Sequence, residues 1–465
     1  MRRRVAVIGS GLGGLVASYL LAKQGDHVII LEHDKCPGGS LQSFEREGVR
    51  FNMGLHYVGG LGEGGPLYPF FKELDLLSLP WKELDGHEIW IGDTCYCIPT
   101  GEDRWLEYMT SKFPHQHDNL VRLLNESKAI ANSSFDRTMP YWERSAWEWL
   151  CEMIDDPELR DVISGSSLIT ELNRDTLPQF AFADIIYSYI HSSHRIVGGG
   201  QPIINHLLGY VLEHEGEIHC NSTVTRILEE DSHVSGVQLA NGRTIMADVV
   251  LSAIHPTITM DLLAENSAIR KVYRRRLHNL RDSMGCFTAN MKVKPGTLDM
   301  RERPVYVHVK GTDFWCYDAP PVEHILIHFY PEQNAIDFIV PVSWKHVEKW
   351  DGTSVGHRGN DYLAFKDAMF RDCLRLAETA VPGISEAIEN HWSSTPLTWK
   401  SYFLAHNGTA YGIMKDYHSP EATLLLPKTP LKGLYLTGQS VILHGIMGTT
   451  ISGFISAQFL KHPIE

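Results

Sequence analysis

The chain has 465 residues, 43% hydrophobic and 21% charged, which excludes a disordered segment and a small disulfide-stapled domain and, by length, predicts two or three domains. Lys and Arg number 42 against 56 Asp and Glu, a net charge of −14, so nothing supports an electrostatic grip on a phosphate backbone and nucleic acid is not an expected partner. The eight cysteines lack the paired spacing of a zinc site or disulfide scaffold; the nearest two, Cys95 and Cys97, alternate like strand positions and read as reduced thiols.

Arg2, Arg3 and Arg4 precede an apolar stretch from Val5 to Ala22 that superficially resembles a signal peptide or a short membrane span. Gly9, Gly11, Gly13 and Gly14 would break such a helix, and the segment reads better as strand, turn and helix. No other window holds 18 uninterrupted apolar residues, so the expectation is a cytoplasmic protein that meets a bilayer, if at all, only from its surface. Val5–Ile8 reads as a buried parallel strand and Leu15–Gln24 as a helix closed by Gly25. Between them lies Gly9-Ser10-Gly11-Leu12-Gly13-Gly14. Here Gly9 permits the tight turn, Gly11 lets backbone amides near a pyrophosphate, and Gly14 lets the helix pack closely on the strand. A second strand, His27–Leu31, ends at Glu32, whose carboxylate suits a ribose hydroxyl, with His33 beside it. The pattern predicts a dinucleotide site. Gly38-Gly39-Ser40 follows and resembles the extended fingerprint of FAD-binding enzymes, although Ser18 stands where that fingerprint usually has alanine.

Residues 62–190 are rich in helix formers and in aromatics such as Phe71, Trp81, Trp105, Trp142, Trp147 and Trp149. Each alone is expected in a core, while the group suits the wall of an apolar tunnel. Gly198-Gly199-Gly200 opens a helix, Ile203–Glu215; strands Thr223–Leu228 and Val234–Leu239, an Asn241-Gly242 hairpin and a buried strand Asp248–Ala253 follow. The basic run Arg270–Arg276 reads as a solvated helix face. Gly285–Val293, Arg303–Val309, Glu323–Phe329 and Ile336–Val342 read as strands. Gly433–Gln439 reads as a strand entering a glycine turn, and the helix Gly448–Leu460 then points its amino-terminal amides at whatever lies above that turn. His115 and His117 lack ligand partners; His191 and His194 would share a helix face without a third ligand, so no metal is expected.

Together these segments resemble the superfamily of phytoene desaturases, carotenoid isomerases and retinol saturases, FAD-dependent oxidoreductases, over nearly the whole chain. Gly54-Leu55-His56-Tyr57-Val58-Gly59 is similar to the G-x-H-Y-x-G element of the retinol saturase branch, and His444-Gly445-Ile446-Met447-Gly448 to its carboxyl-terminal flavin motif. Thr395-Pro396-Leu397-Thr398 and Gly408–Gly412 are also typical of the superfamily. The resemblance implies an α/β fold: a discontinuous Rossmann-like FAD-binding domain (1–61, 191–260 and 400–465), its parallel sheet flanked by helices on both faces, and an α+β substrate domain (62–190 and 261–399), a helical cap plus a mixed or antiparallel sheet. It places Gly9, Gly11, Leu12, Gly13, Gly14, Glu32, His33, Gly38, Gly39, Ser40, Val224, Ser252, Gly438, Gln439, Gly445, Met447, Gly448 and Thr449 at the FAD. His56 and Tyr57 are implied near the flavin ring, as proton donors or as groups that position it.

The implied activity is hydride transfer at flavin N5 to or from a carbon–carbon double bond of a conjugated polyene, carotenoid, retinoid or other apolar lipid, with saturation favoured over desaturation and isomerisation. A hydrocarbon double bond offers no heteroatom to polarise, so acid–base side chains have little to act on and the cofactor carries the chemistry. An apolar substrate is the implied partner, reached through an exposed hydrophobic rim at a membrane surface or from a lipid carrier; no motif names the electron donor or acceptor. Two other readings share the first fingerprint: an amine-oxidase-like flavoenzyme, and a non-redox prenyl-chain escort protein of the guanine-nucleotide dissociation inhibitor type.

Overall fold

A computed structural model describes residues 2–134, 137–166, 168, 170–316 and 318–461. The strand Arg4–Ile8 is buried from Val5 onward, as a central parallel strand must be. It pairs in parallel with His27–Leu31 on one side and Val249–Ser252 on the other, with Glu217–His219 and Leu434–Leu436 at the two edges. Val5, Val7, Val28, Ile30 and Leu251 turn one face towards the helices Leu12–Lys23 and Gln201–Glu213, and the helix Gly445–Phe459 packs beside Leu12–Lys23. Ala6, Ile8, Ile29 and Val250 turn the other face onto a three-stranded antiparallel sheet (Val224–Glu230, His233–Leu239, Thr244–Met246), with Met260 and Leu277 from two short helices.

A second sheet has seven strands in the order Ile388–Ser394, Gly285–Val293, Ala335–Val342, His324–Tyr330, Val305–His308, His87–Ile91 and Thr94–Ile98. All pairs are antiparallel except Val305–His308 with His87–Ile91. The last two strands fall inside the stretch expected to be a helical cap. They pair with each other as a hairpin, and His87–Ile91 carries it onto the sheet by a parallel pairing with Val305–His308 that local pattern does not announce. One face of this sheet packs Phe287, Ile325, Ile327 and Phe338 against the long helix Asn360–Ala380. The opposite face meets a layer of helices that includes His117–Ala131, Ala146–Met153 and Gln179–His191.

One sequence expectation is corrected here. His191 ends its helix and His194 lies in the following strand, Ser193–Ile196, so the two share no helix face. The glycines after that strand serve packing: a Cβ on Gly199 would stand 2.1 Å from Asn52 Oδ1, and one on Gly200 2.2 Å from the Leu41 carbonyl. In the basic run, Arg270, Lys271, Arg275 and Arg276 are exposed around a single buried Leu277. Among the described residues, no helix is long and apolar enough to cross a membrane.

Candidate cofactor and substrate cavity

The glycines of the first loop have separate jobs. Gly9, at φ +91°, turns the chain off its strand. A Cβ on Gly14 would lie 2.4 Å from the Gly9 carbonyl, and one on Gly13 2.7 Å from the Cα of Gly438, so these two allow backbone to touch backbone. Gly11 differs: nothing lies within 4 Å of its Cβ position, and it faces a cavity. The loop is fastened by Glu32, buried at the end of the second strand. One carboxylate oxygen accepts from the Ser10 amide at 2.9 Å and from the Ser10 hydroxyl, while the other accepts from the Asp34 amide at 2.9 Å and sits 2.8 Å from His33 Nδ1. Ser10 Oγ in turn accepts from the Gly38 amide at 3.0 Å. Burial alone would raise the Glu32 carboxyl, but His33, the Asp34 amide and Ser10 hold it down at about 2, so it is an anion at any working pH.

The cavity, about 410 Å³, runs from Glu32, Ser222 and Val224 along the glycine loop to the second sheet, where Cys286, Leu326 and Ile339 close it. Of the residues expected at a cofactor, Gly9, Gly11, Leu12, Gly13, Glu32, His33, Gly39, Ser40, Val224, Gly438, Gln439, Gly445, Met447 and Thr449 line it, as do His56 and Tyr57. Gly14, Gly38, Ser252 and Gly448 are not in the wall but behind it. Ser252 Oγ pairs with Thr259 Oγ1 at 2.7 Å, and Cβ atoms on Gly38 and Gly448 would run into Ile204 and Leu443. The aromatics of residues 62–190 named above are a second correction to the expected tunnel: none lines the cavity. Trp105, Trp142 and Trp149 are buried in the helical layer instead, where large rings bury most area. The rings at the wall are Tyr57, Tyr189, Tyr411, Trp399 and Phe403. Tyr189 arrives on an almost wholly buried helix, a placement that no local motif signals.

Among the described residues no Lys or Arg lines this cavity. A dinucleotide diphosphate would therefore be met by amides. The helices Leu12–Lys23 and Gly445–Phe459 both begin at the wall, without a side-chain cap and without an acid in the first turn, which leaves amides and positive dipole ends for an anion. The open space over Gly11, the anionic Glu32 at one end and these two helix starts fit a flavin dinucleotide.

At the inner end, Tyr57 hydrogen-bonds the hydroxyl of Tyr306, and its ring lies 4.9 Å from that of Tyr189. Burial raises Tyr57 well above the usual phenol range, so it stays protonated. His56 Nδ1 is 3.1 Å from the Tyr330 hydroxyl, and burial lowers this imidazole to about 4, so it stays neutral. His444, at the start of the terminal helix, contacts Thr170 Oγ1 at 2.9 Å and is lowered to about 3 by burial and by Lys415. A further cluster lies by the Ala405–Thr409 turn, its His255 and His406 on the cavity wall. His406 Nδ1 lies 2.6 Å and Asn407 Nδ2 2.9 Å from one oxygen of Asp282, His255 Nε2 lies 3.0 Å from the other, and the two imidazoles stack at 4.8 Å. Their nitrogen and oxygen atoms are close enough together to receive a metal ion. In this structure His255, His406 and Asn407 converge on Asp282 and fasten the turn to the wall.

Residues 12–460 match the family described as flavin containing amine oxidoreductase. The human (Homo sapiens) all-trans-retinol 13,14-reductase is 22% identical over 96% of this chain and 83% of its own. A chloroplastic prolycopene isomerase 2 from an Oncidium hybrid cultivar is 25% identical over 97% of this chain and 82% of its own. The solved structure of an oxidoreductase from Methanosarcina mazei has the same fold, with a TM-score of 0.67 at 17% identity and coverage of 98% and 100%.

Two glycine substitutions separate fold from cofactor. Gly13→Ala should cost roughly 1–3 kcal/mol of stability by overpacking, read by urea unfolding of the apoprotein. Gly11→Ala should leave that stability unchanged and abolish FAD retention on gel filtration. Glu32→Ala, which frees Ser10 and the second glycine pair together, should weaken FAD binding at least tenfold in a flavin-fluorescence titration; unchanged affinity would remove Glu32 from the site.

Proposed function

The chain belongs to the flavin containing amine oxidoreductase family and is an FAD-dependent oxidoreductase, and from that premise we propose that it reduces a carbon–carbon double bond in an apolar, conjugated polyene. The observation that carries this reading is the chemistry of the cavity's inner end. Leu168, Ile185, Leu326, Ile339 and Leu443 make its wall, and the acidic residues of the lining, Glu32 and Asp34, stand at the opposite end, on the segment that follows the second strand. A cationic amine would be desolvated there without a counter-ion, whereas a hydrocarbon chain loses nothing and gains contact area. The retinol reductase and the prolycopene isomerase among the relatives act, by their names, on molecules of that kind.

In this reading Gly9, Gly11, Leu12 and Gly13 cradle the diphosphate, Glu32 holds the ribose end, Val224 lies at the adenine, and Gln439, Met447 and Thr449 border the flavin ring; Gly14, Gly38, Ser252 and Gly448 shape the wall from behind. Bound FAD supplies hydride transfer, which no side chain here can perform. The protein supplies a dry, oriented pocket and, for saturation, a proton. His56, neutral and on the wall, is the group that delivers it. Tyr57, bonded to Tyr306, keeps the neighbouring surface rigid. Trp399, Phe403 and Leu404 also line the cavity, and Leu404 and Tyr402 are about half exposed, with the Tyr402 carbonyl 3.0 Å from His33 Nε2 at the ribose end.

The test is anaerobic. Holoenzyme reduced with dithionite and freed of excess reductant is mixed with all-trans-retinol or a linear carotene, followed by flavin absorbance and by mass spectrometry. Expected is flavin reoxidation matched by a gain of two hydrogens in the polyene. Reduction of the oxidised holoenzyme's flavin by putrescine, with no polyene turnover by the reduced form, would overturn the reading, and a rearranged polyene of unchanged mass would move it to isomerisation. His56→Asn should slow the polyene step at least tenfold while FAD stays bound.

A further inference from the structure

The seven-stranded sheet presents two different faces. Along His324–Tyr330, Ile325, Ile327 and Phe329 enter the apolar core against the long helix, while Leu326, which lines the cavity, His328 and Tyr330 alternate with them towards the other side. Asp337 is paired across this sheet with both His328 and Asn290 and is completely buried. An ionisable group in the middle of a sheet is expensive unless its hydrogen bonds are made, and here they lead somewhere. Asn290 Nδ2 donates to Asp337 Oδ1 at 2.6 Å, the Tyr330 hydroxyl lies 2.7 Å from Oδ2, and that same hydroxyl lies 3.1 Å from Nδ1 of His56, whose ring is on the cavity wall. A carboxyl, a phenol and an imidazole thus form an unbroken line from the sheet interior to the substrate space.

The Tyr330 hydroxyl, with Asn52 as a further hydrogen-bond partner, has one proton to give, to Asp337 or to His56, so the line has two orientations. With Asp337 protonated, Oδ2–H donates to Tyr330, Tyr330 donates to His56 Nδ1, and Nε2 carries the proton available to a ligand. With Asp337 ionised, Tyr330 donates to Oδ2, His56 Nδ1–H donates to Tyr330, and Nε2 is bare. We propose that Asp337, Tyr330 and His56 are a proton relay in which the buried carboxyl is the store and His56 the outlet to the substrate. This rests on the reading that the enzyme saturates a double bond, a reaction that adds one hydride, from the bound cofactor, and one proton. In the step, the proton on His56 Nε2 goes to a substrate carbon, that of Tyr330 moves to Nδ1, and that of Asp337 moves to the tyrosine oxygen. Tyr330 and His56 end neutral and Asp337 ends as a carboxylate. A solvent proton entering by Nε2 once product leaves reverses the three shifts.

Burial sets the order of store and outlet. It raises the Asp337 carboxyl to about 7, against the opposing pull of the Tyr330 and Asn290 hydrogen bonds, and it lowers His56 to about 4; near neutral pH the extra proton resides on the acid, not the ring. The groups facing this acid are Tyr330 and His328 from the adjacent strand, Asn290 from the other, and His56 from the loop after Asn52. His328 is kept neutral by burial, with the charge of Arg195 acting in the same direction. Arg195 is itself paired with Glu302 and Glu332.

The relay is tested in the FAD-loaded enzyme with Asp337→Asn and Tyr330→Phe, each checked for folding by retained flavin absorbance. Infrared pH-difference spectra should show a buried carboxylic C=O band lost as pH rises through about 7, absent in Asp337→Asn. The ¹⁵N signals of His56, assigned by their loss in His56→Asn, should switch tautomer at the same midpoint, and Tyr330→Phe should uncouple them. In single turnovers of reduced enzyme with all-trans-retinol, the wild-type rate should fall above pH 7, about tenfold per unit; both variants should be at least tenfold slower and flat. No carboxylic band, a band surviving Asp337→Asn, or variants with the wild-type rate profile would overturn the relay. Coupled titration in an enzyme that reduces no polyene would instead overturn the substrate reading and support the relay.

Discussion

The architecture of this enzyme turns on one buried carboxylate. Glu32 binds the amide and hydroxyl of Ser10, the amide of Asp34 and the ring of His33, and through Ser10 it reaches the Gly38 amide. A glycine loop has no side chains with which to define itself, and the conformational freedom that lets it approach a ligand would also let it collapse. A permanently ionised acceptor at the end of the neighbouring strand removes that freedom by charge-assisted bonds. The loop, the end of the second strand and the second glycine pair therefore behave as one object.

The two sheets divide the remaining work. The parallel sheet is apolar on both faces and ends in glycine turns, so it offers the cavity backbone rather than side chains. The seven-stranded sheet is apolar towards its long helix, but on the other side it carries His328, Tyr330, Asp337 and Asn290 next to Cys286, Leu326 and Ile339. Polar residues in such a setting must be fully partnered. Here the greasy portion of that face forms the end wall and the partnered portion lies beside it.

The sequence made the first half legible and the second half obscure, for physical reasons. Gly9 to Gly14, Glu32 and Gly38-Gly39 are local signals, because turn geometry and strand ends depend on a few consecutive residues, and the parallel strands read as uninterrupted β-branched runs. The strand His87–Ile91 escaped notice because one of its edges pairs with residues more than two hundred positions away, whereas its hairpin partner Thr94–Ile98 showed in the alternation of Cys95 and Cys97. Tyr189, His255, Asp282 and His406 meet only through tertiary packing. The polar face of His324–Tyr330 could have been found by its alternation of His and Tyr with Ile and Phe; its partner Asp337 could not, since one acid in a strand looks like a surface position. The aromatics of residues 62–190 were over-read: size and hydrophobicity say that a ring is buried, not what it is buried against.

The contact between Gly13 and Gly438 also bears on biogenesis. The fingerprint is synthesised more than four hundred residues before its counterpart and the helix that borders the other end of the cavity. Between the two the glycine loop is a half-socket, and the nascent chain must hold its apolar sheet face together without cofactor until Leu434–Leu436 slots in beside Val249–Ser252. Flavin loading is thereby postponed until Gly438 is made, and a chain that stops short of it lacks one side of the socket.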